Sequence, residues 1–386
     1  VSAEHEPIEE TLRRVASGAT PQERENWNRL RLSEVAAQGL DGWLEDSQQI
    51  IAEMLATRTG TVPGAPSLPE SELIIEPLRR VVQRYLGFNA RPQDSIVTTG
   101  FPDLDKLMSF EEETFVVVGA HSGHGKSSIS MQFAFHVGER FGPSLFFTSE
   151  MSSEQLALRL ACTLGSVDSK RIKRGLCTSE ESGSLSDQVP RVSRALAWIT
   201  DSPGLDILEI RARARREVKR IEQDTGKKVR LIVVDYLQRV RAGKAAPRDA
   251  SREQCIHAIA QEMKEMSREL KLCVISPSQL NEDSTKRPDG RPQASDVRES
   301  RGIMNEADVV LLVHNSHFQK RMDSDSIDTS KPEACELIVG KGRNDGNGMA
   351  HAWFTPLYAR FDSMTEDAKR QEREDRMRTS PKRGRS

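Results

Sequence analysis

Residues 115–128, FVVVGAHSGHGKSS, constrain this chain more tightly than any other stretch. Four apolar residues, Phe115 to Val118, read as a short buried strand. A loop with Gly119, Gly123 and Gly125 follows, and Lys126-Ser127-Ser128 opens an amphipathic segment through Val137. Strand, glycine loop, Gly-Lys-Ser and helix, in that order, make up a phosphate-binding loop. Glycines let backbone N–H groups close around phosphate oxygens, and the helix N-terminus adds partial positive charge. Lys126 can then reach the β- and γ-phosphates, while the Ser127 hydroxyl can ligate Mg²⁺. The cradle would comprise Ala120, His121, Ser122, Gly123, His124, Gly125, Lys126, Ser127 and Ser128. The full pattern places Gly at position 120, where this chain has Ala120, with Gly119 one place early. Taken alone, the stretch also fits an ordinary Gly-rich strand–helix turn, so the remaining chain has to decide.

A chain of 386 residues has room for one large domain and a smaller one, and 30% charged against 5% aromatic residues implies an aliphatic core. No run approaches the roughly 20 apolar residues of a membrane helix. The five cysteines lie far apart with no C-x-x-C pair, which fits a reducing, cytoplasmic location rather than a disulfide scaffold or zinc site.

Residues 1–60 read as a helical N-terminal region, with helices at Pro7–Ala16, Gln22–Ala37 and Gly42–Thr57. Residues 61–94 read as a linker carrying a helix, Ser71–Leu86, with Leu73, Ile74, Leu78, Val81, Val82 and Leu86 on one face. That helix is too short to hold a core alone and has to dock on something. From 95 to 363 strands alternate with helices. Strands are expected near 115–118, 144–148, 231–235, 272–276, 309–313, 335–339 and 351–355, which predicts an α/β fold with a mostly parallel sheet. A helix over Leu205–Gln223 is signalled by an Asp206/Glu209 capping box and the apolar stripe Ile207, Ile210, Ala214, Val218 and Ile221. Its arginine-rich face reads as solvated. Residues 364–386 read as a disordered, charged tail.

Two carboxylates end strands. Leu231–Val234 is an aliphatic run closed by Asp235, placed to hold the Mg²⁺ shell. Glu150, after the strand Leu145–Thr148, could activate the water that attacks a γ-phosphate, or could simply begin the helix at Ser152.

Residues 95 to about 363 resemble the ATPase domain of the DnaB-type replicative DNA helicases. The resemblance is carried by TTGFPDLDKLM (98–108), AHSGHGKSS (120–128), SEMSSEQLALR (149–159), DSPGLDILEIRARAR (201–215) and LIVVDYLQ (231–238). It continues with SQLN (278–281), KRPDGRPQASDVRES (286–300) and KGRND (341–345). That family too has Ala at the position of Ala120. The resemblance implies a RecA-like P-loop NTPase working as a homo-hexameric ring that hydrolyses ATP with Mg²⁺ and tracks single-stranded DNA 5′ to 3′, unwinding duplex. It further implies that Lys126 and Ser127 bind phosphates and metal, that Asp235 holds the metal shell, and that Glu150 is the catalytic base. Gln279 would sense the γ-phosphate, and Lys341 and Arg343 would reach the ATP of the neighbouring subunit. Arg298, Glu299 and Gly302 would lie in the DNA-facing loop.

Arg301, standing where a Gly is common, could change the backbone route there or add a charge that grips phosphate, and the basic loop 239–252 with Lys244 and Arg248 is a further candidate for DNA contact. The family usually has Pro-Ser-Met where this chain has Ser122-Gly123-His124, and His121 and His124 read as loop filler. Primase and a helicase loader are further partners of the family, although residues 1–60 show no match that would carry their contacts over. The short N-terminal region and the unusual phosphate loop keep a second class open: a non-unwinding RecA-like ATPase acting on DNA as a recombination mediator, loader or regulator.

Overall fold

The apolar runs become strands because they are buried on both faces. In β1 (Phe115–Ala120) every residue is buried, with Val116, Val118 and Ala120 entering one core and Phe115 and Val117 the other. β4 (Leu231–Asp235) divides the same way, Leu231 and Val233 to one side, Ile232 and Val234 to the other. A parallel strand covered by helices on both sides requires such a continuous aliphatic run.

The computed structural model describes residues 96–371, apart from 202, 283–284, 286, 288–289, 298–299, 316–327 and 343–346. All of these belong to the second of the chain's two units, Leu78–Ser386. The helices and linker expected over 1–94, the tail beyond 371, and Arg298, Glu299 and Arg343 lie outside the described residues.

The other elements are α1 (Lys126–Arg140), β2 (Ser144–Thr148), α2 (Ser153–Gly165), α3 (Ser169–Lys173), α4 (Ser179–Arg194), β3 (Ala197–Asp201) and α5 (Ile207–Thr225). After β4 come α6 (Arg252–Leu270), β5 (Cys273–Gln279), α7 (Ser300–Glu306), β6 (Val309–His314), β7 (Glu333–Gly342), β8 (Gly348–Thr355) and β9 (Arg360–Ser363). They form a nine-stranded sheet ordered β3-β2-β4-β5-β1-β6-β7-β8-β9. Neighbours from β3 to β6 run parallel, and the three further pairings to β9 are antiparallel. Buried residues of α1 and α2 pack on one face, and those of α5, α6 and α7 on the other.

Each expected strand is present, and β3 and β9 are additions. Both are short; β3 is half-exposed, and β9 at the sheet edge alternates Arg360 and Asp362 with its buried Phe361, so neither shows a continuous aliphatic run. The Asp206/Glu209 capping box and all five residues of the α5 stripe are as expected. The arginine face of α5 is less free than expected: Arg211 pairs with Glu262 and Glu269, and Arg215 with Glu269, tying α5 to α6. At the N-terminal ends of β1 and β6, buried Lys264 donates to Asp308 at 2.7 Å and to the Glu113 carbonyl at 2.6 Å, while Phe115 N donates to Asp308 at 2.7 Å. The ordered chain also runs past 363. Residues 366–371 are helical, and Lys369, which is buried, pairs with Asp103 and with Glu366, so the charged sequence after Met364 begins as a docked turn.

Candidate active site

The C-terminal ends of β1, β2, β4 and β5 lie along one edge of the sheet, where an α/β fold places its ligands. There the loop after β1 turns through Gly123 at φ +81° and Gly125 at φ +89°, left-handed conformations open to glycine. Position 125 is doubly restricted, since a Cβ there would stand 2.8 Å from the Phe361 ring. The helices α2, α4, α5 and α6 each start with a capping box, whereas no side chain caps α1 at Gly125. Its first-turn N–H groups are left for an anion.

Lys126, Ser127, Glu150 and Asp235 line one cleft of about 250 Å³ with Gly123, Gly125 and Ser128. The structure therefore joins residues that are 109 positions apart (126 to 235). Lys126 Nζ stands 5.1 Å above the Tyr236 ring, and Ser149 Oγ donates to the Asp235 carbonyl at 2.9 Å, locking β2 to β4 beside the cleft. Glu150 is exposed to the cleft and does not begin the helix. Ser152 caps α2, its side chain accepting from Gln155 N while Gln155 closes the box. Met151 and four residues not singled out from the sequence, Arg159, Phe354, Pro356 and Ala359, complete the lining. Arg159 follows Glu150 by nine positions on α2, a lone basic residue that could have been noticed.

Asp235 is buried, and burial pushes its carboxyl up to about 6, against the hydrogen bond from Ser127 and the Lys126 charge, with Glu150 adding to the rise. Its Oδ1 is buried with no hydrogen-bond partner. A carboxylate oxygen without a donor, beside the Ser127 hydroxyl, fits a hard divalent cation such as Mg²⁺. The same burial has a stability consequence. The folded chain holds this proton more tightly than the unfolded chain, so stability is lost as pH rises from about 4 through about 6. At neutral pH ionised Asp235 costs about 3 kcal/mol, at about 1.4 kcal/mol per tenfold change in proton affinity. Asp235→Asn is expected to raise the Tm of nucleotide-free protein at pH 7 by several degrees, with little gain at pH 4. Thermal melts at the two pH values check this, and a variant melting below wild type at pH 7 would contradict it.

Gln279 ends β5 between β4 and β1; its N–H donates to Gln238 Oε1 at 3.3 Å, and Gln238 Nε2 donates to Ser278 Oγ at 2.6 Å. His121 and His124, expected as loop filler, lie in the loop with their rings turned inward. Both are buried, edge to face with ring centroids 5.4 Å apart, and Asn315 N donates to His124 Nδ1 at 3.4 Å. Burial holds His121 below the usual imidazole value, while Asp296 and Glu282 pull it upward. Ser122 is exposed, and Ala120 is buried in the core.

The basic candidates separate. Lys244, Arg248 and Arg301 are exposed, but Arg241 donates to the Gly204 carbonyl and Arg252 to the Gln238 carbonyl. Gly302, expected to face DNA, is buried instead: a Cβ there would stand 2.5 Å from His257 Cβ, so glycine lets α7 close on α6. Lys341 Nζ lies on its own chain, donating to the carbonyls of Met304 and, at 2.7 Å, of Ala307.

The sequence profile of the DnaB-like helicase C terminal domain matches residues 96–363. The replicative DNA helicase DnaC of Bacillus subtilis (strain 168) is 31% identical over 267 residues, 69% of this chain and 56% of that protein. The replicative DNA helicase DnaB of Geobacillus stearothermophilus is 30% identical over 267 residues, again 69% and 56%. The chain thus spans just over half the length of these curated relatives. A solved ATPase domain superposes with a TM-score of 0.67 at 26% identity, covering 77% of this chain and all of that one. A structure of a DnaB-like replicative helicase and its interactions with primase shares the fold, with a TM-score of 0.63 at 24% identity over 89% of this chain and 77% of that one.

Proposed function

This chain belongs to the DnaB-like helicase C-terminal domain family, and from that premise we propose that it is the motor of an ATP-driven replicative DNA helicase. In this reading it assembles as a homo-hexamer, moves 5′ to 3′ along single-stranded DNA and separates duplex ahead of it. Its location would be cytoplasmic, and primase and a loader would be further partners on the strength of the family. Among the described residues no helix is long and apolar enough to cross a membrane.

The observation that carries the reading is the convergence of Lys126, Ser127, Glu150 and Asp235 on one cleft at the uncapped end of α1. The N–H groups of α1 and Lys126 would bind and orient the β- and γ-phosphates. Ser127 and Asp235 would hold Mg²⁺, which when bound neutralises phosphate charge. Glu150, exposed in the same cleft, would take the proton of the attacking water. Gln279, which ends the strand between β1 and β4, would sense the γ-phosphate and relay its state to the segment that follows it.

Single-turnover unwinding of a forked duplex tests the proposal against the non-unwinding alternative. A helicase separates the strands, whereas a mediator or loader hydrolyses ATP on DNA and leaves them paired. For DNA itself, the exposed Lys244, Arg248 and Arg301 are expected to contact phosphates without regard to sequence. The logarithm of affinity should fall linearly with the logarithm of salt, by about 0.7 per contact on a single strand. Lys244→Ala and Arg248→Ala should each flatten that slope by about 0.7 and weaken binding equally on all sequences. Salt titrations on oligonucleotides of differing sequence check this, and unchanged slopes would remove these residues from the interface.

A further inference from the structure

Between the end of β1 at Ala120 and the start of α1 at Lys126, only two residues send side chains into the protein. Ser122 is exposed, Gly123 and Gly125 have no side chain, and the imidazoles of His121 and His124 are buried, at 9% and 6% exposure. The side-chain hold on the phosphate loop therefore runs through two rings. A glycine in the left-handed region flanks His124 on each side, so its ring anchors the freest part of the backbone. The His124 N–H donates to the His121 carbonyl at 3.2 Å, closing a turn that sets the rings edge to face.

His124 is held by Asn315, which follows β6. The Asn315 N–H donates to His124 Nδ1 at 3.4 Å, and Asn315 Nδ2 donates to Glu333, the first residue of β7, at 3.1 Å. A backbone N–H is always a donor, so Nδ1 has to carry the lone pair and the ring proton sits on Nε2. Only the neutral imidazole offers that lone pair. A proton on Nδ1 would set two donors against each other in a buried place, where the charge itself is also disfavoured. Asp296 and Glu282 face His121 from the segment after β5, and Arg287 Nη2 holds Asp296 at 2.7 Å. Burial, the largest influence, keeps His121 below the usual imidazole value, so the contact that acid breaks is the one at His124. His314, beside Asn315, lies opposite Glu336 in the register of β6 with β7, and Glu336 accepts from Arg291 Nε and Nη2, each at 2.8 Å. Lys126, next but one to His124, carries its ammonium over the Tyr236 ring.

We propose that His124 is a positioning residue of the phosphate loop, one that fixes the loop through Asn315 while its ring is neutral and releases it on protonation. Nucleotide affinity then falls as pH drops through the imidazole range. This role rests on the reading of residues 120–128 as a phosphate cradle. A loop already shaped around the phosphates loses less freedom on binding than one that has to be ordered. A ring that must be neutral when nucleotide is bound is a proton site that nucleotide binding weakens. The affinity present above the imidazole range is therefore lost below it, by up to about tenfold per pH unit.

The test uses the full chain with Mg²⁺ and a fluorescent ATP analogue, for wild type, His124→Asn and His124→Met. Kd is read at about pH 7.5 and about pH 5.5, on either side of the ordinary imidazole value. Asn offers an oxygen near the position of Nδ1 and does not titrate, whereas Met, the side chain usual in the family at this position, fills the volume and offers no comparable acceptor. Titration of the nucleotide's phosphates and of Asp235 acts on all three proteins alike and cancels in the comparison. Wild type should lose at least about fivefold more affinity between the two pH values than either variant. At the higher pH, His124→Asn should bind about threefold tighter than His124→Met, the return of one hydrogen bond. Equal losses in wild type and His124→Met overturn the proposal. Equal affinity of the two variants at the higher pH does so too, since the Asn315 contact then contributes nothing. Should His124→Asn fail to fold, the pH profile of His124→Met decides alone. If wild type binds no nucleotide at either pH, the phosphate-cradle reading fails and the role of His124 with it; if all three bind with one pH profile, the role of His124 alone falls.

Discussion

Arg343→Ala is expected to bind ATP nearly as wild type does and to hydrolyse it about 10³–10⁵-fold more slowly, the range associated with an arginine supplied to a transferring phosphoryl group. Arg343 follows in sequence the last residue of β7, Gly342, which strand register places far from the chain's own phosphate loop. Gly342 pairs with Val309, which pairs with Val116, at the start of β1; the phosphate loop leaves the other end of β1, at Ala120. Four residues of strand span about 13 Å, and two strand spacings add about 10 Å sideways. β7 thus ends on the side of the sheet opposite the chain's own cleft, and the shared-site reading assigns Arg343 to the neighbouring subunit's nucleotide. Lys126→Ala should fail for a different reason, inside its own phosphate loop. Mixing the two inactive variants with subunit exchange then creates interfaces that join an intact loop to an intact arginine, and part of the ATPase activity should return. If exchange is verified by a label and no activity returns at any ratio, the shared site is refuted.

Glu150→Gln is expected to leave nucleotide affinity within about twofold and to lower turnover by about 10²–10⁴, the usual contribution of a positioned general base. The substitution keeps the shape of the side chain and removes the proton acceptor. A loss of folding is not expected, because the capping of α2 depends on Ser152 and Gln155 and not on Glu150. Nucleotide binding measured by a fluorescent analogue, beside steady-state hydrolysis, separates the outcomes. Wild-type turnover would remove Glu150 from the base role, and lost binding would make it a ligand of the phosphates or metal.

What the sequence determined by itself was local. The aliphatic runs at β1 and β4, the glycine loop ending in Lys126-Ser127 and the Asp206 capping box each act within a few residues, through burial on both faces, backbone freedom or a cap, so their pattern is visible in a single chain. The short edge strands β3 and β9 were not visible, because they are half-exposed or charged and take their identity from the strand beside them. The site was legible as a set of candidates but not as an arrangement. Whether Glu150 faced a cleft or began a helix depended on which residue capped α2. Gly302 read as part of a DNA loop, and only the approach of α7 to His257 showed why a glycine stands there. Arg291 and Glu336 are 45 residues apart and carry no motif that would pair them. Their contact, and the direction of Lys341, follow from strand register and from one extra residue at Gly340, and register is decided only when the sheet assembles and each strand must bury its faces against its neighbours.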